Sequence, residues 1–356
     1  MAKHEAPERH PARDRAAVRT VGLAMIGLTL FVIAMIASYS GAFAKPTLHH
    51  MAVAVAGPDQ LVDGIRSQNT LAVTEVGDDA AARAQVYERK TDAAFVVAPS
   101  GQMKIYVAGG GGRSVANAAE TVGRTIATKA GLTPTVEDVA PASTGDPSGT
   151  VEFYAIIFIS IGASVGAAVL GRVMGTVRTP LTLALRTATL AGYSALLAGG
   201  VTFYVDVILG ALTGHSWALF GVLWLYSMAV AGAITGVAAA FGTVASMALT
   251  AFLVVVGNAA AAGPVGRPLL SGFYSTFTTI VPQGSGVSLL RSVQYFGSNG
   301  AVTPLVTLAI WGAAGCLLAF LATASRVNYR ALYERCLNLA RRDRVLLRPR
   351  VLSPTD

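Results

Sequence analysis

The sequence predicts a polytopic α-helical membrane protein of six transmembrane helices, with an extracytoplasmic α/β domain inserted between the first and second. Three observations predict it. The chain of 356 residues is 53% apolar and only 13% charged, about half the charged share of ordinary globular proteins, and its mean hydropathy is +0.56. Six apolar runs approach or exceed the length of about 20 residues that spans a bilayer. Between the first two lies one long polar segment, 45–151, whose pattern alternates strand and helix. This composition argues against a soluble enzyme. It also argues against a disordered chain, which needs low hydrophobicity and high net charge.

Residues 1–20 are polar, with five basic and three acidic side chains, and read as a cytoplasmic segment. The apolar run 21–43 follows. It is longer than the roughly 7–15 residues of a signal-peptide core, so it reads as an uncleaved anchor helix. Ala42-Phe43-Ala44 nevertheless mimics a signal-peptidase site.

Residues 44–150 read as the α/β domain. Strand patterns cover 51–56, 71–76, 93–97, 103–108 and 135–139; helical patterns cover 59–67, 79–88 and 114–129. Asp59, Asp79 and Ser114 are expected as N-caps, and Gly131 as a helix stop. Residues 140–150 (APASTGDPSGT) read as a turn-rich linker back to the membrane. Gly109–Gly112 follow a strand and open a helix, the position of a phosphate loop. The Gly-Lys-Ser/Thr of such a loop is missing, so a flexible connector is expected.

Five further runs follow: 154–174, 187–212, 217–241, 244–257 and 302–323. They make 151–324 a five-helix transmembrane domain. The run 244–257 holds only about 14 residues, so it must borrow 258–262 or be tilted or broken. Gly263-Pro264 and Arg267-Pro268 stop any longer helix. The stretch 263–296 is Gly/Pro-broken yet apolar. It reads as a re-entrant or interfacial hairpin, with an amphipathic surface loop as the alternative.

The formal charge is +8, from 27 Lys plus Arg against 19 Asp plus Glu. Its placement is uneven. Segment 45–151 carries nine basic and eleven acidic residues, and the tail from Ser325 carries eight Arg against three acids. Arg172, Arg178 and Arg186 fall in or beside one loop without an acid. The positive-inside rule then puts both termini and that loop in the cytoplasm, and the α/β domain outside. The basic residues flank spans instead of forming a folded basic face, so no nucleic-acid partner is expected. The tail 326–342 reads as a basic amphipathic helix on anionic lipid or on a partner.

Ionisable residues within spans are costly and mark function by default. Asp206 is the one acid well inside a span. It either faces a path or pairs with an outer-leaflet Arg such as Arg267 or Arg291, or else reaches headgroup water. Glu152 and Arg172, at the two ends of one span, read as interfacial. Gly162/Gly166 and Gly232/Gly236 form small-xxx-small patterns for close helix packing, within the chain or between protomers. Cys316 and Cys336 form no disulfide or metal pattern. His49-His50 lack further ligands, and no catalytic constellation stands out. No cofactor, metal site or enzyme activity is expected.

An anchor, an outer domain of about a hundred residues and five clustered spans resemble the ABC-2-type transporter permeases, especially their phage-infection-protein branch. The detail lies in AVAVAGPDQLVDGI (52–65), DAAFVVAPSG (92–101) and VVVGNAAAAGPVGRPLLSGFYSTFTTIVPQGSGVSLLRSVQYF (254–296). In the last, Pro264, Pro268, Leu270, Gly272, Phe273, Pro282 and Arg291 follow the family's order. The resemblance implies a bacterial inner-membrane permease subunit, acting as a homodimer or heterodimer, that exports a hydrophobic or amphipathic compound. Asp206, Arg267, Pro282 and Arg291 are the expected path or gate. None of the five lysines sits in a nucleotide-binding loop, so a separate ATPase subunit is implied, coupled near Arg172, Arg178 and Arg186. That loop lacks the acid often seen in ATPase-coupled relatives. The rival expectation is a non-transporting scaffold, secretion accessory or surface receptor acting through the α/β domain.

Overall fold

The computed structural model describes residues 11–175 and 179–326. Arg178 and the expected tail helix lie outside the described residues, apart from Arg326.

The α/β domain forms from the alternation in its sequence. Strands β1 (Met51–Ala56), β2 (Leu71–Glu75), β3 (Ala93–Val97), β4 (Gln102–Val107) and β5 (Thr133–Asp138) make one sheet in the order β2-β1-β3-β4-β5. Only β3 and β4 pair antiparallel, through a tight turn at Gly101 with φ +76. The other pairs are parallel and so need crossovers. Helices α2 (Asp59–Arg66), α3 (Asp79–Tyr87) and α4 (Arg113–Lys129) supply them.

Period-two alternation sorts the faces. Met51, Val53, Val55, Phe95 and Ile105 pack against α2 and α4, while Ala54, Ala56, Ala94 and Val96 pack against α3. Burial of side chains such as Phe95 or Ile105, both fully buried, contributes roughly 1.5–3 kcal/mol each.

The expected caps shift. Asp78, extended at φ −154, caps α3 by accepting a bond from Ala81 N at 2.7 Å. Pro58 and Gly112 hold the cap positions of α2 and α4, so Asp59, Asp79 and Ser114 fall inside first turns. Sequence pattern places a helix end only to within a residue or two. Asp79 is thereby free to take Lys104 Nζ at 2.7 Å and Tyr106 Oη at 2.8 Å. Gly131 has φ +68 just past α4, as a helix stop requires.

The remaining helices are α1 (Pro11–Phe43), α5 (Val151–Val173), α6 (Pro180–Phe203), α7 (Ser216–Phe241), α8 (Thr243–Phe252), α9 (Gly272–Thr278), α10 (Pro282–Tyr295) and α11 (Val302–Arg326). Five helices among the described residues are long and apolar enough to cross a membrane: α1 from Ala17, α5, α6 with its extension to Ile208, α7 and α11. The architecture is therefore that of a helical membrane protein carrying an α/β sheet domain. The sixth expected run is shorter. Helix α8 continues as a π-helical turn, Leu253–Gly257, and Thr243–Gly257 together rise only about 22 Å, less than a hydrocarbon core of about 30 Å.

Both glycine patterns are used inside the chain. A Cβ on Gly236 would lie 2.2 Å from the Gly315 carbonyl oxygen, and one on Gly315 would lie 2.4 Å from the Gly232 carbonyl carbon, so α7 and α11 touch backbone to backbone. Gly162 and Gly166 make a groove for Leu197 and Tyr193 of α6, and Tyr193 Oη donates to the Gly162 carbonyl at 2.8 Å. Arg326 donates to the Ala239 carbonyl at 2.7 Å. The C-terminal ends of α7 and α11 are therefore adjacent, and the two helices run parallel. The chain between them must return, and α8 to α10 make that return.

The second half of the stretch 263–296 is helix α10. It is buried along nearly its whole length, against α5, α7 and α11.

Candidate functional site

The α/β domain and the helices meet around α10, and the contact begins with glycines. Gly109–Gly111 form a short 3-10 turn. A Cβ on Gly110 would lie 2.4 Å from Tyr295 Cγ, so only glycine lets Tyr295 of α10 approach. The turn is pinned by Gly110 N donating to the Ala140 carbonyl at 2.8 Å and Gly109 N donating to Asp138 Oδ1 at 3.0 Å. The expected flexible connector is a docking plate, because its missing side chains leave room for those of α10.

Arg291 closes the junction. It is 4% exposed. Nη1 donates to the carbonyls of Gly111 at 3.0 Å and Ala262 at 3.4 Å, and Nη2 to those of Gly149 at 3.1 Å and Gly263 at 3.0 Å. One guanidinium thus ties four chain segments: the glycine turn, the linker, the 262–263 turn and α10. Its buried Nε has no acceptor among the described residues. One turn along α10, Tyr295 Oη donates to Glu152 Oε1 at 2.6 Å. Glu152, expected at an interface, is fully buried. Asp146 Oδ2 accepts from Val151 N at 2.7 Å at the same helix start.

A second arginine reaches α10 from the other side. Arg89, just past α3 at φ +59, donates to the Ser288 carbonyl at 2.7 Å and to Ser292 Oγ. Its guanidinium carbon stands 5.0 Å from the Phe296 ring centroid. A cation near a helix C-terminus is favoured by the helix dipole. Burial, reinforced by the charge of Arg291, pushes the Arg89 pKa down to about 10, so it remains charged at neutral pH. Asp92 accepts from Ala52 N at 2.9 Å. Burial raises its pKa against the opposing pull of that bond and of Arg267 and Arg89.

These groups surround a cavity of about 390 Å³ between the α/β domain and the helices. Arg89, Thr91, Asp92 and Gly111 line one wall. Ala261, Ala262, Gly266, Arg267, Pro268, Ser285, Ser288 and Arg291 line another, and Thr303, Pro304 and Thr307 of α11 a third. Arg267 is exposed and finds no hydrogen-bond acceptor among the described residues. Its neighbours are anchored in the α/β domain: His49 N donates to the Pro268 carbonyl at 2.8 Å, and Leu269 joins the sheet's apolar core.

Below the junction, α10 brings polar groups into the bundle. Gln283 is fully buried. Its Nε2 donates to Ser160 Oγ at 3.2 Å and to the Leu253 carbonyl at 2.8 Å, while Oε1 has no donor among the described residues. Gly257 leaves it room, since a Cβ there would lie 2.6 Å from Gln283 Oε1. Ser227 donates to Ser194 nearby in the sequence of helices, joining α7 to α6 at 2.9 Å.

The structure divides the expected site residues. Arg267 and Arg291 meet at the cavity, and Pro282 opens α10 at its first position, where its missing N–H costs nothing. Asp206 does not join them. It lies in a π-helical turn at the end of α6 and accepts from Ser216 Oγ at the start of α7; among the described residues it forms no ion pair. Arg186 folds back onto the end of α5, donating to the Gly175 carbonyl at 3.2 Å, whereas Arg172 is exposed. Arg89, Asp92, Gln283 and Glu152 were not expected. The one local signal for the junction was the glycine run, and it read as a connector.

No family model, curated protein or solved structure matches the chain.

Proposed function

We propose that the chain is the membrane permease subunit of an ABC-2-type exporter, moving a hydrophobic or amphipathic compound outward across a bacterial inner membrane. It would work as a dimer and be energised by a separate ATPase subunit, with both termini in the cytoplasm and the α/β domain outside. The observation that supports this most is α10. A helix bearing Gln283, Ser285, Ser288, Arg291 and Ser292 lies buried among apolar helices, leading from the bundle interior to the cavity under the α/β domain. Polar groups at membrane depth are costly and mark paths by default.

The test is export of an amphipathic compound from cells or inverted vesicles. Deletion should abolish export, and Gln283→Leu should reduce it at an unchanged protein level. Unimpaired export in the deletion strain, with no ATPase co-purifying, would overturn the reading.

A second reading, a fixed scaffold or receptor, draws support from the Arg291 clasp, which immobilises the α/β domain. A disulfide separates the two. A Cβ on Gly266 would lie 3.6 Å from Val115 Cβ, within the range of about 3.5–4.5 Å that a disulfide requires. Oxidised Val115→Cys/Gly266→Cys protein that still exports shows that the domain need not move against segment 263–271. Export lost on oxidation and restored on reduction identifies it as a moving gate.

A further inference from the structure

We propose that the junction cavity is a binding site for a net-anionic phosphate group, such as a lipid headgroup or a phosphate ester. The inference concerns binding alone and does not depend on export.

Charge imbalance carries it. The wall presents three guanidinium groups, Arg89, Arg267 and Arg291, against one carboxylate, Asp92. Glu152 bonds to Tyr295 and does not line the cavity. Arg291 is buried and Arg89 half-buried; charge taken out of water without a counter-charge is costly, and the two repel each other. An anion between them would relieve that cost. Arg291 has spent its four terminal N–H groups on carbonyls but keeps a buried Nε–H with no partner among the described residues. Arg267 has its whole donor fork free of hydrogen bonds among the described residues, and planar forks match phosphate oxygens. Thr303 and Thr307 add hydroxyls.

Position favours an amphiphile's headgroup. Thr303, Pro304 and Thr307 lie in the first two turns of α11, and their neighbours Val302, Leu305 and Val306 are exposed apolar residues. A headgroup in the cavity could leave its acyl chains along that apolar surface. About 390 Å³ is at the small end of ordinary ligand sites, roughly 300–1,000 Å³, enough for a headgroup and not for a whole lipid.

The full chain is purified and exchanged into phosphatidylcholine nanodiscs. Bound phosphatidylglycerol is then counted by native mass spectrometry, with and without millimolar inorganic phosphate. Phosphatidylglycerol should be retained over phosphatidylcholine. Displacement by phosphate identifies a free phosphate ligand, and resistance to it identifies the lipid; either result upholds the site. The Arg-rich tail attracts anionic lipid non-specifically, so variants decide. Arg267→Gln, at an exposed position that should not disturb folding, should weaken retention about tenfold, the loss of one charge-assisted contact, and Arg267→Lys should recover part of it. Asp92→Asn should strengthen retention. Equal binding of the two lipids, or retention unchanged in both Arg267→Gln and Asp92→Asn, overturns the proposal.

Discussion

Replacing Arg291 by Met should loosen the α/β domain from the helices without unfolding either. The side chain makes four bonds to carbonyls, three at 3.0–3.1 Å and one at 3.4 Å. A hydrogen bond to a charged group contributes about 1.5–3 kcal/mol net. Simple addition over the three shorter ones would exceed what deletions show, because bonds from one group are not independent. Removing one partner of a buried charged contact costs about 3–5 kcal/mol. Met fills much of the same volume, so the lower end applies. A loss of about 3 kcal/mol raises the undocked population roughly 150-fold. Hydrogen exchange by mass spectrometry on the full chain reads this directly. The Gly110 amide, held by Ala140, and the Val151 amide, held by Asp146, should exchange faster, while peptides from β1 and β3 keep their protection. Arg291→Lys keeps the charge but loses the fork, and should give an intermediate effect. Unchanged exchange around Gly110 and Val151 in Arg291→Met would refute the clasp.

Gly236→Ala should destabilise the bundle by about 1–3 kcal/mol, since its Cβ meets Gly315 backbone at 2.2 Å; Gly192→Ala, where no atom lies within 4 Å, should be silent, and thermal unfolding in micelles compares them. The Lys104 bond holds the Asp79 carboxyl below its ordinary value of 3.8. The folded state therefore binds fewer protons there than the unfolded chain, and the contribution is present above that value and lost as pH falls through the lower, folded one. The difference in melting temperature between wild type and Asp79→Asn should accordingly be constant near neutrality and shrink below about pH 4; a difference that widens in acid would contradict the assignment. For topology, a cysteine replacing Gln68 in a chain otherwise free of cysteine should react with an impermeant maleimide in intact cells, and one replacing Thr179 only after permeabilisation. The reverse pattern would overturn the orientation.

Much of the architecture was legible in local pattern. Strand β1 shows strict alternation, and α5, α7 and α11 are long apolar runs. Both signals depend on residues within one element, so they survive without knowledge of the neighbours. Uncertainty at 244–257 was legible too, since its length falls short of a span. Even so, the π-helical turn at its end became intelligible only with Gln283 donating to the Leu253 carbonyl, 30 residues away.

Arg267 and Arg291 stood out in the sequence, but their partners in the junction were not legible, for the same physical reason in reverse. Arg291 and Gly111 are 180 residues apart, and Arg89 and Ser292 are 203 apart. Nothing in the residues flanking Arg89 distinguishes a half-buried, hydrogen-bonded cation from a solvated one, because its partners are supplied by another part of the chain. Gly109–Gly112 illustrate this best: glycine reports that something needs space, and not what. Asp206 stood out as a lone acid in an apolar run; that it sits beside Ser216 at a helix connection followed from folding. Local periodicity and apolar length thus set the long apolar helices and the strands. Which polar groups meet, and which arginines surround a shared cavity, followed from tertiary packing, since burial and hydrogen-bond partnership are properties of segments distant in sequence.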